Sequence, residues 1–279
     1  MLVRVPASSA NLGPGFDTLG MALALHAEVG LGEPPEGLRV ADEHHPATVA
    51  FRRNGGEGSL WVRSTIPMGR GMGFSGAVRV GGAVAAHAQR HGADPELLTG
   101  ALSELLQLTT ELERHADNVA ASLYGGVVAT AGGRAVRVPM SFDPAMVMWV
   151  PSFVTSTDES RTALPASVPL ADVVFNLGRT ALLVAALAAG DVDSLREATR
   201  DRLHQDIRLA AAEPSRLALQ AALGAGAWAA WLSGSGPTVA VMCAIDEAEE
   251  LAAALPSDGH TKVLRIDHAG AVIEVAPGD

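Results

Sequence analysis

The stretch Ile66-Pro-Met-Gly-Arg-Gly-Met-Gly-Phe-Ser-Gly-Ala77 decides how this chain is read. Its glycines at 69, 71, 73 and 76 let the backbone approach a ligand, and the apolar spacing of three and four from residue 76 predicts a helix directly behind them. Amides at a helix N-terminus point outward and the helix dipole adds roughly half a positive charge, so phosphate oxygens can bind there without a lysine. Ser75 adds a hydroxyl for a phosphate or a hard cation. The competing structural reading is a helix entry whose glycines serve only tight packing.

Gly71-x-Gly73-x-x-Gly76 also spells the dinucleotide fingerprint. That fingerprint needs an acidic residue closing a second strand about 20 residues on. Here the region is a helix to residue 91, followed by Asp94 capping the next one. The oxidoreductase reading fails on that context. A P-loop needs Gly-Lys-Ser/Thr and a protein kinase needs a strand lysine, whereas Lys262 is the one lysine in the chain and lies outside any motif.

The pattern around the loop is α+β. Strands are expected at 3–6, 26–32 and 60–63, and helices at 76–91 and 94–114. A short helix follows at 117–123, with Asp117 as its cap, then a hairpin through Gly132-Gly133 and a buried strand at 146–150. The lobe boundary is placed there, giving lobes 1–145 and 146–279. Helices at 170–189, 192–203 and 214–223, a strand-turn-strand around Ser233-Gly-Ser-Gly-Pro237, a helix at 246–255 and two closing strands complete the order.

With 279 residues, 48% of them hydrophobic, the chain can bury a sizeable core. A net charge of -11 with no basic cluster argues against a nucleic-acid partner. Cys243, alone, cannot form an internal disulfide, and the opening MLVRVPASSANLGPG lacks the features of a signal peptide, so a cytoplasmic chain is expected. The longest wholly apolar run, 181–189, is far below the roughly 20 residues of a membrane span, so no membrane segment is expected.

Two further loops carry polar groups among glycines. Pro6-Ala-Ser-Ser-Ala-Asn-Leu-Gly-Pro-Gly-Phe-Asp17 offers the amide of Asn11 and the carboxylate of Asp17, which suit either a ligand or an Asx-rich turn. Leu232-Ser-Gly-Ser-Gly-Pro-Thr238 joins two apolar strands through small residues, as a backbone needs when it packs close to another segment or a ligand.

Three such loops in this order, with Pro-x-x-x-Gly-x-Gly-x-Ser in the middle, closely resemble the signature motifs of the GHMP kinases, the superfamily of galacto-, homoserine, mevalonate and phosphomevalonate kinases. Val5 to Gly20, His115-Ala-Asp-Asn-Val-Ala120 and Asp201-Arg-Leu-His-Gln205 resemble the homoserine kinase versions. The resemblance implies a two-lobed fold, with an N-terminal ribosomal-S5-domain-2-like lobe and a C-terminal ferredoxin-like lobe. It also implies ATP as phosphoryl donor, Mg2+ as cofactor, a homodimer, and transfer to the side-chain hydroxyl of homoserine on the way to threonine. The ATP loop would be Pro67, Gly69, Arg70, Gly71, Met72, Gly73, Phe74, Ser75, Gly76 and Ala77. Substrate would be held by Asn11, Asp17, His115, Asn118, Thr157, Arg161 and Arg208, with Asn11, Asn118 and Arg161 nearest the chemistry.

The ligand's chemistry agrees, since a carboxylate suits the guanidiniums of Arg161 and Arg208 and an ammonium suits Asp17. His115 is either a ligand group or a satisfied polar residue beside a helix start. Asp117 is read as orienting its neighbours. For Mg2+, a hydroxyl and a carboxylate are wanted, Ser75 with Glu113, or with Glu111 if the register slips by two. No dedicated base is implied. The middle loop departs from the usual Gly-Leu-Gly-Ser-Ser-Ala-Ala at Phe74, where a bulky ring replaces a small hydroxyl. An asparagine-led adenine segment is also missing, His44-His-Pro-Ala-Thr48 standing near its place.

Overall fold

In a computed structural model the protein is described over residues 1–154 and 157–275, the side chains of 157–159 excepted. Strands β1 (Leu2–Ala10) and β2 (Leu19–Leu31) pair antiparallel along their whole length, with Leu2 opposite Gly30 and Ala10 opposite Gly20. The register shifts between Pro6 and Ala7, at a residue that has no amide to give the ladder. Both strands run past their expected ends, so the loop carrying Asn11 and Asp17 is short and held at the tip of a long hairpin.

Helix α1 (Pro46–Arg53) follows and then β3 (Leu60–Ser64), which pairs with β2. Next come α2 (Phe74–His91), α3 (Pro95–Glu113) and α4 (Asp117–Tyr124), then the hairpin of β4 (Val127–Ala131) and β5 (Arg134–Val138). Helix α2 is the spine of this half. It lies across β1 and β2 and touches α1, α3 and α4. A Cβ on Gly82 would stand 2.0 Å from the Ala47 carbonyl oxygen, so glycine there lets the α1 and α2 backbones meet. The N-terminus of α2 is thereby set against the sheet.

The second sheet has β6 (Ala145–Pro151) inside it, wholly buried and therefore continuously apolar. Helices α5 (Thr157–Thr162), α6 (Leu170–Ala189), α7 (Leu195–Ala198), α8 (Gln205–Ala210) and α9 (Glu213–Gly224) precede β7 (Ala229–Leu232) and β8 (Val239–Cys243). After α10 (Ala248–Ala254) come β9 (Gly259–Leu264) and β10 (Val272–Glu274). The order is β7-β8-β6-β9 in this sheet and β10-β1-β2-β4-β5 in the first, where β3 also joins β2. The last strand therefore returns to the first sheet, Leu2 facing Glu274. The sheets also meet through Ser9, whose Oγ accepts from Trp231 Nε1 at 3.0 Å and donates to Ser233 Oγ at 2.8 Å.

Three expectations change. The helix expected at 192–203 stops at Ala198 after a short 3-10 turn, because the Asp201 carboxylate accepts the amides of Leu203, His204 and Gln205 and ties them into a loop. Asp117 is the first residue of α4 and not its cap, which is Ala116, and its carboxylate accepts the Asn118 amide at 2.7 Å. Helices α1, α5 and α8 were not foreseen, and α1 starts on an unusual cap, His45 Nδ1 accepting from Ala47 N at 3.2 Å.

At 20 residues, α6 is long and apolar enough to cross a membrane by length and composition alone, which the run of 181–189 conceals. In the structure Asn176 on this helix is buried. Its amide donates to Asp201 Oδ1 at 2.7 Å and its oxygen accepts from Arg202 N, which docks α6 on the loop before α8.

Candidate active site

The glycine loop enters α2 with Gly69, Gly71 and Gly73 all left-handed, and Gly73 is the residue before the helix. Ala77 N to Gly73 O is the first helical bond, so the amides of 74, 75 and 76 lie ahead of the helix ladder. A Cβ on Gly71 would stand 2.2 Å from Ser233 O and 2.8 Å from Gly236 O. Ser233 Oγ in turn donates to Gly71 O at 2.6 Å. The glycine loop and the 232–238 loop are thus packed backbone to backbone, one expectation for small residues joining the other.

Among the described residues, three of the four non-glycine residues with positive φ, Asn11, Leu12 and Asp17, sit together in the first loop. Such conformations persist only where the surroundings fix them. The buried Asn11 amide does so. Its Nδ2 donates to Gly234 O at 2.9 Å and its Oδ1 accepts Asp17 N at 3.0 Å. One side chain therefore ties all of the first loop's tip to the third loop.

Beyond that tie lies a charged cluster. Arg161 donates two bonds to the Asp17 carboxylate, at 2.9 and 2.8 Å, and its guanidinium lies 5.4 Å over the Phe16 ring. Arg208 lies 5.3 Å over the same ring and donates to Gly234 O at 3.2 Å. Phe16 also stacks on His204 at 5.0 Å. Burial lowers the His204 pKa, which favours the neutral ring, with Nε2 donating to Gly13 O and Nδ1 facing Arg208 at 3.2 Å. Burial and then the neighbouring charge of Arg161 lower the Arg208 pKa, so two guanidiniums face one aspartate at the cleft wall.

At the foot of the cleft, Ser8 Oγ donates to Asn118 Oδ1 at 2.9 Å, and Asp117 orients the Asn118 amide. His115 Nδ1 stands 3.7 Å from Asp117 Oδ1 and is buried without a hydrogen-bond partner among the described residues. Burial pushes the Asp117 carboxyl up to about 6, against the downward pull of His115 and the Asn118 amide.

On the other side of the loop, Ser75 Oγ donates to Glu113 Oε2 at 3.0 Å, whereas Glu111 is exposed and bonds Gln107. A hydroxyl and a carboxylate of this kind are hard oxygen donors suited to Mg2+. The guanidinium of Arg79 reaches the same two oxygens. Phe74 lines the cleft and packs its ring against the first core, so its bulk is largely absorbed by the protein.

A cleft of about 180 Å³ gathers Asn11, Asp17, His115, Asn118, Arg161 and Arg208 with Pro67, Gly69 to Ser75 and Glu113. That lies below the roughly 300–1,000 Å³ of a drug-sized ligand site. It suits a small metabolite and a terminal phosphate, with the rest of a nucleotide outside. Gly76 and Ala77 are buried behind the loop against α4, and the Thr157 side chain lies outside the described residues. Phe16, Ser8, His204 and Arg79 were not singled out in the sequence. Phe16 had one signal, its place between Gly15 and Asp17 in a motif already quoted. Residues 46–53, where related chains carry the asparagine-led segment, form α1 and pack on α2.

The sequence matches the profile described as GHMP kinases N terminal domain over residues 39–126 and that of GHMP kinases C terminal over 183–261. It is 40% identical to a homoserine kinase of Moorella thermoacetica, covering 87% of each chain. It is 38% identical to a homoserine kinase of Desulfitobacterium hafniense, covering 97% of this chain and 99% of the relative. The structure superposes on a homoserine kinase from Cytophaga hutchinsonii with a TM-score of 0.83 at 23% identity, over 97% of this chain and 96% of that one.

Proposed function

This chain belongs to the GHMP kinases, in the company of homoserine kinases, and from that premise we propose that it transfers the γ-phosphoryl group of ATP to the side-chain hydroxyl of L-homoserine, giving O-phospho-L-homoserine. The observation that carries the substrate is the Arg161, Arg208 and Asp17 cluster around Phe16, one wall of the cleft with two cations and one anion. An α-amino acid brings a carboxylate for the guanidiniums and an ammonium for the aspartate. A sugar or mevalonate does not call for all three.

The outward amides at the start of α2 receive the phosphates. Ser75 and Glu113 would hold Mg2+, which would neutralise phosphate charge during the transfer. Asn11 and Asn118 hold the loops that frame the hydroxyl acceptor, and rate comes from position and charge neutralisation without a dedicated base. The change of sheet after Val138 supports lobes 1–145 and 146–279, with β10 crossing back. The charge of -11 supports a small-molecule and not a nucleic-acid partner, and a single cysteine in 279 residues supports a reducing compartment, the cytoplasm. Leu170, Val174 and Leu177, exposed along one face of α6, support a homodimer, which sedimentation velocity tests.

A coupled ADP-release assay across homoserine, mevalonate, sugars and shikimate tests the reaction. Turnover with homoserine, at a kcat/KM at least about a hundredfold above the others, is expected. ADP release independent of homoserine overturns the reading.

A further inference from the structure

The side chain of Arg79 lies on α2 one helical turn after Ser75, where residues four apart share a face. Its guanidinium donates to Ser75 Oγ and to Glu113 Oε2, the two oxygens assigned above to the metal. Its Nε is buried with no hydrogen-bond partner among the described residues, so the group is committed through one nitrogen to that donor pair. Glu113 is 11% exposed and Arg79 21% exposed. A carboxylate so enclosed is costly unless a cation compensates it. Arg79 supplies that cation in the nucleotide-free protein.

A guanidinium and a divalent ion cannot take the same two oxygens together, because three positive charges would then face one carboxylate at contact distance. We propose that Arg79 is a resident counter-ion of the metal site, one that a divalent cation must displace. It holds Ser75 and Glu113 together while no nucleotide is present and excludes the bare metal ion. The metal enters with the nucleotide, whose phosphates bring the negative charge that lets both cations stay, Arg79 swinging from Glu113 toward a phosphate oxygen. The inference rests on reading Ser75 and Glu113 as the metal donors.

The test is Mn2+ binding by electron paramagnetic resonance, without nucleotide and with a non-hydrolysable ATP analogue, for the wild type, Arg79→Leu, Arg79→Gln and Glu113→Gln. Without nucleotide, both Arg79 variants should bind Mn2+ at least about tenfold more tightly than the wild type, a gap that narrows with the analogue. If neither variant binds more tightly while Glu113→Gln loses Mn2+, the counter-ion role is wrong and the donor assignment stands. If, with the analogue present, Glu113→Gln binds Mn2+ as the wild type does, the donor assignment itself fails. The unaltered protein gives an independent reading, since Mn2+ alone should leave its Tm unmoved and Mn2+ with the analogue should raise it. A rise with Mn2+ alone overturns the proposal.

Discussion

Arg161 and Asp17, far apart in sequence, face each other as a two-bond pair, Nη1 to Oδ2 at 2.9 Å and Nη2 to Oδ1 at 2.8 Å. Each is one of the groups assigned to opposite ends of the substrate. A ligand with both an ammonium and a carboxylate can separate them and satisfy each anew, whereas a ligand with only one charge leaves the other partner uncompensated. The pair is therefore a filter for zwitterions.

Arg161→Ala tests the filter. Both side chains are well exposed, 44% and 34%, so the pair adds little to stability and the variant should unfold within about 1 kcal/mol of the wild type in urea. Its KM for homoserine should rise at least tenfold, equal to about 1.4 kcal/mol, with ATP binding nearly intact. An unchanged homoserine KM removes Arg161 from the substrate site.

Arg208→Ala should behave differently, because Arg208 is buried and serves Gly234 O and His204 as well. Leaving the buried His204 Nδ1 without its donor costs about 1–3 kcal/mol, so both the urea midpoint and the homoserine affinity should fall. A variant with wild-type stability would show that the buried contacts carry no weight.

Asp117 sets a pH dependence. Its carboxyl is raised from the ordinary 3.8 to about 6 by burial, so the folded protein holds that proton more tightly than the unfolded chain. The cost of ionising it is absent below pH 3.8 and fully present above pH 6, up to roughly 3 kcal/mol across that window. Asp117→Asn lacks this loss. Its stability relative to the wild type, from urea unfolding at pH 4 and pH 7.5, should therefore improve at the higher pH, and a constant difference would contradict the buried carboxylate.

Phe74→Ser restores the small hydroxyl of related loops. The ring packs on the core, so its loss should cost about 1–2 kcal/mol of stability, read as a lower urea midpoint. The amides of residues 74–76 belong to the backbone and remain. The ATP KM should stay within about threefold, and a tenfold change would show that the ring meets the nucleotide.

The long helices α2 and α3 were legible because their apolar spacing persists over several turns and Asp94 caps α3 through the Glu96 amide. Helix α1 was not, since eight residues hold little periodicity and a histidine cap carries no customary signal. Residues 199–203 looked helical because local spacing cannot show a carboxylate such as Asp201 claiming three amides. The cleft's charged residues came from motifs. The roles of Arg79 and Phe16 did not, although Phe16 stands inside a quoted motif, because what gives each a role is its contact with distant residues: Glu113 for the first, Arg161 and Arg208 for the second.

The return of β10 to the side of β1 bears on how the protein is made. While the ribosome has released only the first half of the chain, the outer edge of β1 at residues 2–4 has no neighbour, and it gains one only when residues 272–274 emerge. A nascent or clipped chain ending before residue 272 presents a bare strand edge to other chains. Synthesis must reach residue 274 before the sheet that supports the glycine loop gains its last strand.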